Sequence, residues 1–592
     1  MRGLNRYDET KEKDCMKVSD YIVEFLVKQG ITDVFGYPGG MVTHLMDSLG
    51  KYSDRINTHI TYHEQGAAFA ACGYAQASDK AGVAFATSGP GATNLMTGIC
   101  NAYFDSIPTV FITGQVNTFE SKKEKHIRQK GFQETDIISM VKDVTKAAFY
   151  IEDANEIRRV LEEAFYIAQQ DRKGPVVIDI PMNISRAEID EKALAGYQKP
   201  ELLDTSQERE RYEQCVREAL KNAKRPCLLI GNGIKTAHQT EAVREIVRKS
   251  HIPVVSSMLA VDVIPEESGL EGTYYGFVGA YGNRTANFVV AKSDLLICLG
   301  SRLDVRQVGG KRENFAPQAR IIRADIDVYE LENCIRPDEE QFVLSLADAL
   351  PALGRAMEAA PDYSEWLDVC QEIKKSIKYI DEKEPNRAVN AISRQVPDGY
   401  SVLADVGQNM VWVAQSFRMK EAQRVYMSGG HGAMGYALPA AIGVYYATHR
   451  PVICFSGDGG FQMNMQELQL IVREKLPIKM IIMNNESLGM IRHFQEMYFD
   501  SNYYYTTQNN GYTIPDFVAV AQAYGIPAER VGGLDAISEL KDSFDDDNRE
   551  PRLIEVMLGD RTVVSPKLEF GKPNQDQEPL LDRNVYEYLM NL

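Results

Sequence analysis

The chain has 592 residues, 44% of them hydrophobic and 25% charged, and carries a formal net charge of -18. At roughly 150 residues per domain this length allows three or four globular domains, and nothing in the acidic balance favours a nucleic-acid binder, whose footprint is a concentrated basic face. No uninterrupted apolar run reaches the roughly 20 residues of a membrane span. The nine cysteines are scattered without a C-x-x-C pair, so the expectation is free thiols in a reducing, cytoplasmic setting rather than a zinc site.

Residues 1–15 mix four basic with four acidic side chains and lack an apolar stretch, which reads as an N-terminal extension and not a secretory signal. Three α/β segments follow, expected at 16–190, 191–375 and 376–562, with a tail at 563–592. In each, short β-branched runs alternate with longer helical patterns, the signature of parallel sheets built from βαβ units. Strands are expected at 83–87, 109–113 and 175–181 in the first segment, near 225–230, 295–299 and 320–325 in the second, and at 452–455 and 479–483 in the third. The polar stretch 186–211 reads as a linker. A helix is expected over 466–474, ending before Pro477, and a short one in the tail.

The chemistry concentrates where strand 452–455 runs into Gly457-Asp458-Gly459, and the next strand ends at Asn484-Asn485. In a right-handed βαβ unit both strands point the same way. Asp458 and Asn485 then meet at their carboxyl ends, where open α/β sheets bind ligands. A carboxylate, an amide oxygen and a main-chain carbonyl make a hard oxygen site suited to Mg²⁺, which fills its octahedron with water and phosphates. Either half by itself is a common turn; the two at this spacing point to a diphosphate site. Glu64 opens a helix rich in small residues, where a carboxylate is ordinarily a dipole partner. Glycine-rich turns stand at 36–40, around Gly40, and at 87–94, around Gly89 and Pro90.

The Gly457-Asp458-Gly459 to Asn485 spacing resembles the motif of the thiamine diphosphate (ThDP)-dependent enzymes, and residues 16–556 are similar to the branch containing acetolactate synthase, pyruvate oxidase and benzoylformate decarboxylase. The resemblance implies an α/β fold of three doubly wound parallel-sheet domains that bind the pyrimidine, a possible FAD, and the diphosphate with Mg²⁺. It implies that the Asp458 and Asn485 side chains and the Ser487 main-chain carbonyl hold Mg²⁺, and that Glu64 shares a proton with N1′ of the aminopyrimidine. Such a role suits a buried carboxyl. Met434 matches the apolar residue that props the bent cofactor. Gly40, Gly89, Pro90, Gln115, Gly407, Gln408, Gly432, Gly457, Gly459, Leu488, Gly489 and Met490 fall at cofactor-side positions. Phe132, Gln133 and Phe494 fall on the substrate side.

Stretches 132–136, 457–468 and 484–492 are similar to the acetolactate synthases. The expected reaction joins decarboxylated pyruvate to a second 2-oxo acid, giving 2-acetolactate. A decarboxylase, a pyruvate oxidase, or a carboligase with a keto-sugar or aldehyde acceptor is the alternative. Three departures mark this chain: Phe494 where the family carries Trp, Val305 where its FAD-binding members usually carry Asp, and a tail unlike the usual ending. FAD is expected only as a possibility, from Gly231-Asn-Gly233, Ser301-Arg302 and Asp325-Ile-Asp327. A homodimer or homotetramer sharing active sites, and a possible regulatory subunit, complete what the resemblance implies.

Overall fold

The computed structural model describes residues 15–123, 125–201, 203–266, 268–377, 382–538, 540–545 and 549–592; the expected extension lies almost wholly outside them. The chain divides into two compact units, 1–200 and 201–592.

The first unit opens with strand β1 (Cys15–Lys17). Its sheet comprises β2 (Asp33–Gly36), β3 (Asn57–Ile60), β4 (Gly82–Ala86), β5 (Thr109–Gln115), β6 (Ala147–Tyr150) and β7 (Pro175–Pro181), and β8 (Glu188–Asp190) follows. The sheet order is β3-β2-β4-β5-β7-β6, all parallel. β5 and β7 are buried at every position, which explains why their apolar residues come in runs, Val110 to Ile112 and Val176 to Ile178, rather than at alternate positions. The stretch expected as a linker is partly ordered structure. β8 pairs antiparallel with β1, and a helix, Ser206–Asn222, begins inside it. Only Ile189 of β8 turns inward, so its single buried position is lost among charged neighbours in the sequence.

The second unit contains two sheets. The middle one comprises β9 (Pro226–Ile230), β10 (Val254–Ser256), β11 (Tyr274–Phe277), β12 (Leu295–Leu299), β13 (Arg320–Asp325) and β14 (Glu340–Val343) in the order β11-β10-β9-β12-β13-β14. The other comprises β15 (Ser401–Ala404), β16 (Val425–Tyr426), β17 (Val452–Gly457), β18 (Ile478–Asn484), β19 (Ala528–Gly532) and β20 (Arg552–Met557) in the order β16-β15-β17-β18-β20-β19. Both are purely parallel. The first and third sheets therefore share one strand order and the middle sheet has the dinucleotide-fold order.

β17 runs two residues further than the sequence suggests. The helical stretch after it is three short pieces, Asp458–Met463, Met465–Glu467 and Leu468–Arg473. The break falls at Asn464, whose buried amide donates to Gly435 O at 2.8 Å instead of leaving the helix undisturbed. The tail is ordered and ends in a helix, Arg583–Asn591, which buries Leu589 against Phe288, Ile373 and Ile377. No helix among the described residues is long and apolar enough to cross a membrane. All nine cysteines are free thiols.

Candidate active site

A doubly wound sheet binds ligands where its strand order reverses, outside the carboxyl ends of the strands. In the first sheet that point lies between β2 and β4. The turns there are 36–40 and 87–94, as the sequence places them. Gly89 has φ +65°, and a Cβ on Gly39 would sit 2.3 Å from Thr87. Met41 N–H donates to Thr87 Oγ1 at 3.1 Å, tying the two turns together.

Glu64 is the first residue of helix Glu64–Ala77, which follows β3. It is 8% exposed. Asn94 Nδ2 donates to its Oε2 at 3.0 Å, and Gly91 lies beside Oε1, where a Cβ would come within 3.1 Å. The small residues of this helix permit close backbone packing. A Cβ on Gly82 would lie 1.9 Å from Ala71 O, and one on Gly98 would lie 2.2 Å from Ala68 Cβ. The alanine-rich stretch is thus a packing device that sinks Glu64 into the sheet edge.

Other expected residues of this unit fall out differently. Gly40 faces open space and Pro90 is exposed. Gln115, at the end of β5, has its amide engaged inside the protein: Nε2 donates to Thr135 O at 2.7 Å and to Asp179 Oδ2 at 3.0 Å. Gln133 has φ +62° and packs against Gly89. Phe132 is 78% exposed.

In the third sheet the reversal lies between β15 and β17. Gly407 (φ +141°) and Gly457 flank the Asn409 amide, leaving no room for side chains there. Asp458 is 2% exposed. Its Oδ1 accepts from Gly459 N–H at 2.6 Å and from the Tyr512 hydroxyl at 3.0 Å, while Oδ2 accepts only from Ser487 N–H, at 3.2 Å, among the described residues. Burial pushes the Asp458 carboxyl up to about 6, against those hydrogen bonds. Asn485 Nδ2 donates to Gln408 Oε1 at 2.8 Å and Thr562 Oγ1 at 3.1 Å, which orients the amide and leaves its Oδ1 available. The Ser487 hydroxyl is buried without a partner among the described residues. Among the described residues no three His, Cys, Asp or Glu side chains converge on a metal position. A cation here would rest on Asp458, Asn485 and main-chain oxygen, the sparse hard-oxygen set that suits Mg²⁺ beside phosphates.

Met434 Cε, Leu488 Cδ2 and the Tyr512 hydroxyl all crowd Gly459, each within 3.3 Å of where its Cβ would be. A Cβ on Gly489 would lie 2.0 Å from Gln408 Oε1, so glycine is required for the Gln408–Asn485 contact. Gly432 has φ +70° and its N–H donates to Ser428 Oγ. Met490 packs on the apolar core beneath. Phe494 is half exposed, against Tyr498 with ring centroids 4.7 Å apart.

Several contributors carry no motif. Asp405, buried and pushed up to about 6 by that burial, accepts from Gly435 N–H at 3.0 Å and Tyr436 N–H at 3.1 Å. It fixes the turn that presents Met434. Tyr512 and Thr562 reach the site from 54 and 77 residues away in the chain, and no local pattern announces them. Lys567 of the tail lies with Nζ 5.7 Å from the centre of the Phe494 ring, and burial lowers its ammonium to about 8.

The middle sheet reverses between β9 and β12. A Cβ on Gly231 would lie 2.0 Å from Gly300 O, and one on Gly233 would lie 2.7 Å from Gly300 Cα. These glycines are accounted for by two turns in contact. Arg302 pairs with Asp304, and Ser301 donates to Gln307. The flavin expectation gains nothing from this geometry.

Three family models match in order: the N-terminal TPP binding domain of thiamine pyrophosphate enzymes over 16–140, their central domain over 214–353, and their C-terminal TPP binding domain over 405–556. The acetolactate synthase isozyme 2 large subunit of Escherichia coli (strain K12) is 35% identical across 95% of this chain and 99% of its own length. The acetolactate synthase large subunits of Lactococcus lactis and Corynebacterium glutamicum are 33% and 36% identical, covering 93% and 94% of this chain and 94% and 89% of their own. With three parallel sheets, two of them reversing at glycine turns that bear Glu64's neighbours and Asp458, the chain belongs to the thiamine pyrophosphate enzymes as an acetolactate synthase-like member.

Proposed function

We propose that the protein decarboxylates pyruvate with ThDP and Mg²⁺ and joins the two-carbon fragment to a second 2-oxo acid, giving 2-acetolactate. The observation that carries this reading is the oriented pair of oxygens, Asp458 Oδ2 and Asn485 Oδ1, on a chain similar to acetolactate synthase large subunits over nearly its whole length. When bound, ThDP supplies the nucleophilic carbon and the electron sink. The chain supplies placement and proton control.

Asp458, Asn485 and the Ser487 carbonyl would hold Mg²⁺ against the diphosphate, with Gln408, Gly457, Gly459 and Gly489 letting the backbone approach. Met434, set by Asp405, and Leu488 would support the cofactor's bend. Asn94 fixes Oε2 of Glu64, leaving Oε1 to hold the proton at aminopyrimidine N1′. Glu64 and Asp458 belong to the units 1–200 and 201–592; in this proposal two copies of the chain each contribute one of them, as a homodimer or a pair of homodimers. A regulatory subunit and a cytoplasmic location belong to the same reading. FAD has no step in it.

Purified protein with ThDP, Mg²⁺ and pyruvate tests the proposal, with CO₂ and 2-acetolactate followed together. One acetolactate per CO₂ is expected. CO₂ accompanied by acetaldehyde or acetate would move the assignment to a decarboxylase or an oxidase.

A further inference from the structure

Between Ser121 and Gly131 the sequence places Lys122, Lys123, Lys125, Arg128 and Lys130 against the single Glu124, in a chain whose net charge is -18. These five cations line a cavity of about 1010 Å³ in the first unit. That volume is at the upper end of small-molecule sites, which run to ~1,000 Å³. The floor is formed by Gln115 and Asp179, 4% and 1% exposed, at the carboxyl ends of β5 and β7. This is the same edge of the sheet that carries the turn at 87–94, because β4 and β5 are paired neighbours.

The loop is held in shape. Glu134 accepts from Ser121 Oγ and Lys122 N–H on one oxygen, and from Lys130 N–H and Gly131 N–H on the other. Both ends of the basic stretch are thereby clamped to one carboxylate, immediately beside Gln133, which packs on Gly89. None of the five cations forms an ion pair among the described residues. Lys122 and Lys130 donate to the main-chain carbonyls of Arg128 and Phe119; the heads of Lys123, Lys125 and Arg128 have no acceptor among the described residues. Of the carboxylates on the wall, Glu134 is taken up by the loop's own N–H groups, burial raises Asp179 to about 7, Asp136 caps a helix through Ser139, and Glu152 is the remaining acid.

We infer that this cavity binds an anionic group of the phosphate class carried by a further acceptor, so that the carboligase takes a phosphorylated carbonyl compound in addition to the second 2-oxo acid. The inference rests on the carboligase reading above for the word acceptor, and on the cavity for the anion. A loop that only solvates itself needs no carboxylate clamp at both ends, and its five cations make no ion pair among the described residues around the concavity they line.

The test uses full-length protein loaded with ThDP and Mg²⁺. Calorimetric titration compares sn-glycerol 3-phosphate with glycerol, in the wild type and in Lys123→Gln/Lys125→Gln/Arg128→Gln. These three heads are exposed, so the variant should fold. The phosphate ester is expected to bind at least ~10-fold more tightly than glycerol, as charge-assisted contacts of this kind allow. The triple variant, or raised salt, removes that preference. Turnover with pyruvate then compares D-glyceraldehyde 3-phosphate with D-glyceraldehyde. The ratio of their KM values should favour the phosphorylated aldehyde in the wild type and approach unity in the variant. Equal binding of both probes, or a preference that survives the triple substitution, overturns the inference. Binding of the phosphate ester without any turnover of pyruvate would keep the anion site and overturn the carboligase reading.

Discussion

The middle and third sheets both carry glycines in the turns at their reversal points, yet the two points are built for different ends. At the middle one, Gly231 and Gly233 lie directly on the Gly300 backbone, Arg302 pairs with Asp304 and Ser301 with Gln307 Oε1, and Gln307 Nε2, a donor, is buried without a partner among the described residues. At the third, the glycines clear space around polar groups that keep open positions. Asp458 Oδ1 is held by Gly459 and Tyr512 and Oδ2 by Ser487 N–H, while Asn485 is oriented through Nδ2, which leaves its Oδ1 available. A glycine fingerprint therefore marks close approach; whether the approach is to a ligand or to the chain itself is decided by which acceptors remain available.

Substitutions sharpen that contrast, beginning with the largest effect. Glu64→Gln should lower kcat by about 10²–10⁴-fold, the range for losing a general acid–base group. ThDP binding, read calorimetrically, should persist; full activity in this variant would remove Glu64 from the chemistry. Gly231→Ala should destabilise the fold by roughly 1–3 kcal/mol through backbone overpacking, seen as a lower Tm, with ThDP affinity unchanged. Weakened ThDP binding in folded Gly231→Ala would break the contrast between the two reversal points.

Tyr512→Phe removes the hydroxyl that orients Asp458, and supporting partners of metal ligands typically contribute ~10–100-fold in affinity. Mg²⁺ titration in the presence of ThDP should show a loss of that order, whereas an unchanged affinity would make Tyr512 a bystander. A separate effect, on stability and not on the site, concerns pH. Asp179 titrates near 7 in the folded protein because burial disfavours its charge, against ~3.9 when unfolded. The folded state therefore binds the extra proton, and stability falls as pH rises from about 4 to 7. Asp179→Asn should flatten that segment of a Tm–pH profile.

The sequence made the third reversal point legible because Asp458 and Asn485 end neighbouring strands, so two short motifs fix their meeting. The three sheets were legible through short β-branched and apolar runs that lie wholly buried, such as Val110 to Ile112 within 109–115. Other features were not, for reasons that lie in the fold. β8 buries one residue among charges. Asn464 breaks a helix by reaching Gly435, a long-range contact with no local pattern. Gln115 sits at the edge expected of a cofactor contact, yet its amide is engaged by Thr135 and Asp179. Tyr512 and Thr562 arrive from distant loops. The tail, read only as unusual, packs its helix on Phe288 and brings Lys567 to Phe494, contacts that only the folded chain defines.

The most direct test of the account is ThDP affinity measured with and without Mg²⁺ in the wild type and in Asp458→Ala. The account predicts tight, Mg²⁺-dependent binding in the wild type and loss of the Mg²⁺ dependence, with at least ~100-fold weaker binding, in the variant. Retained Mg²⁺-dependent affinity in Asp458→Ala would contradict the assignment of the third reversal point as the diphosphate–metal site.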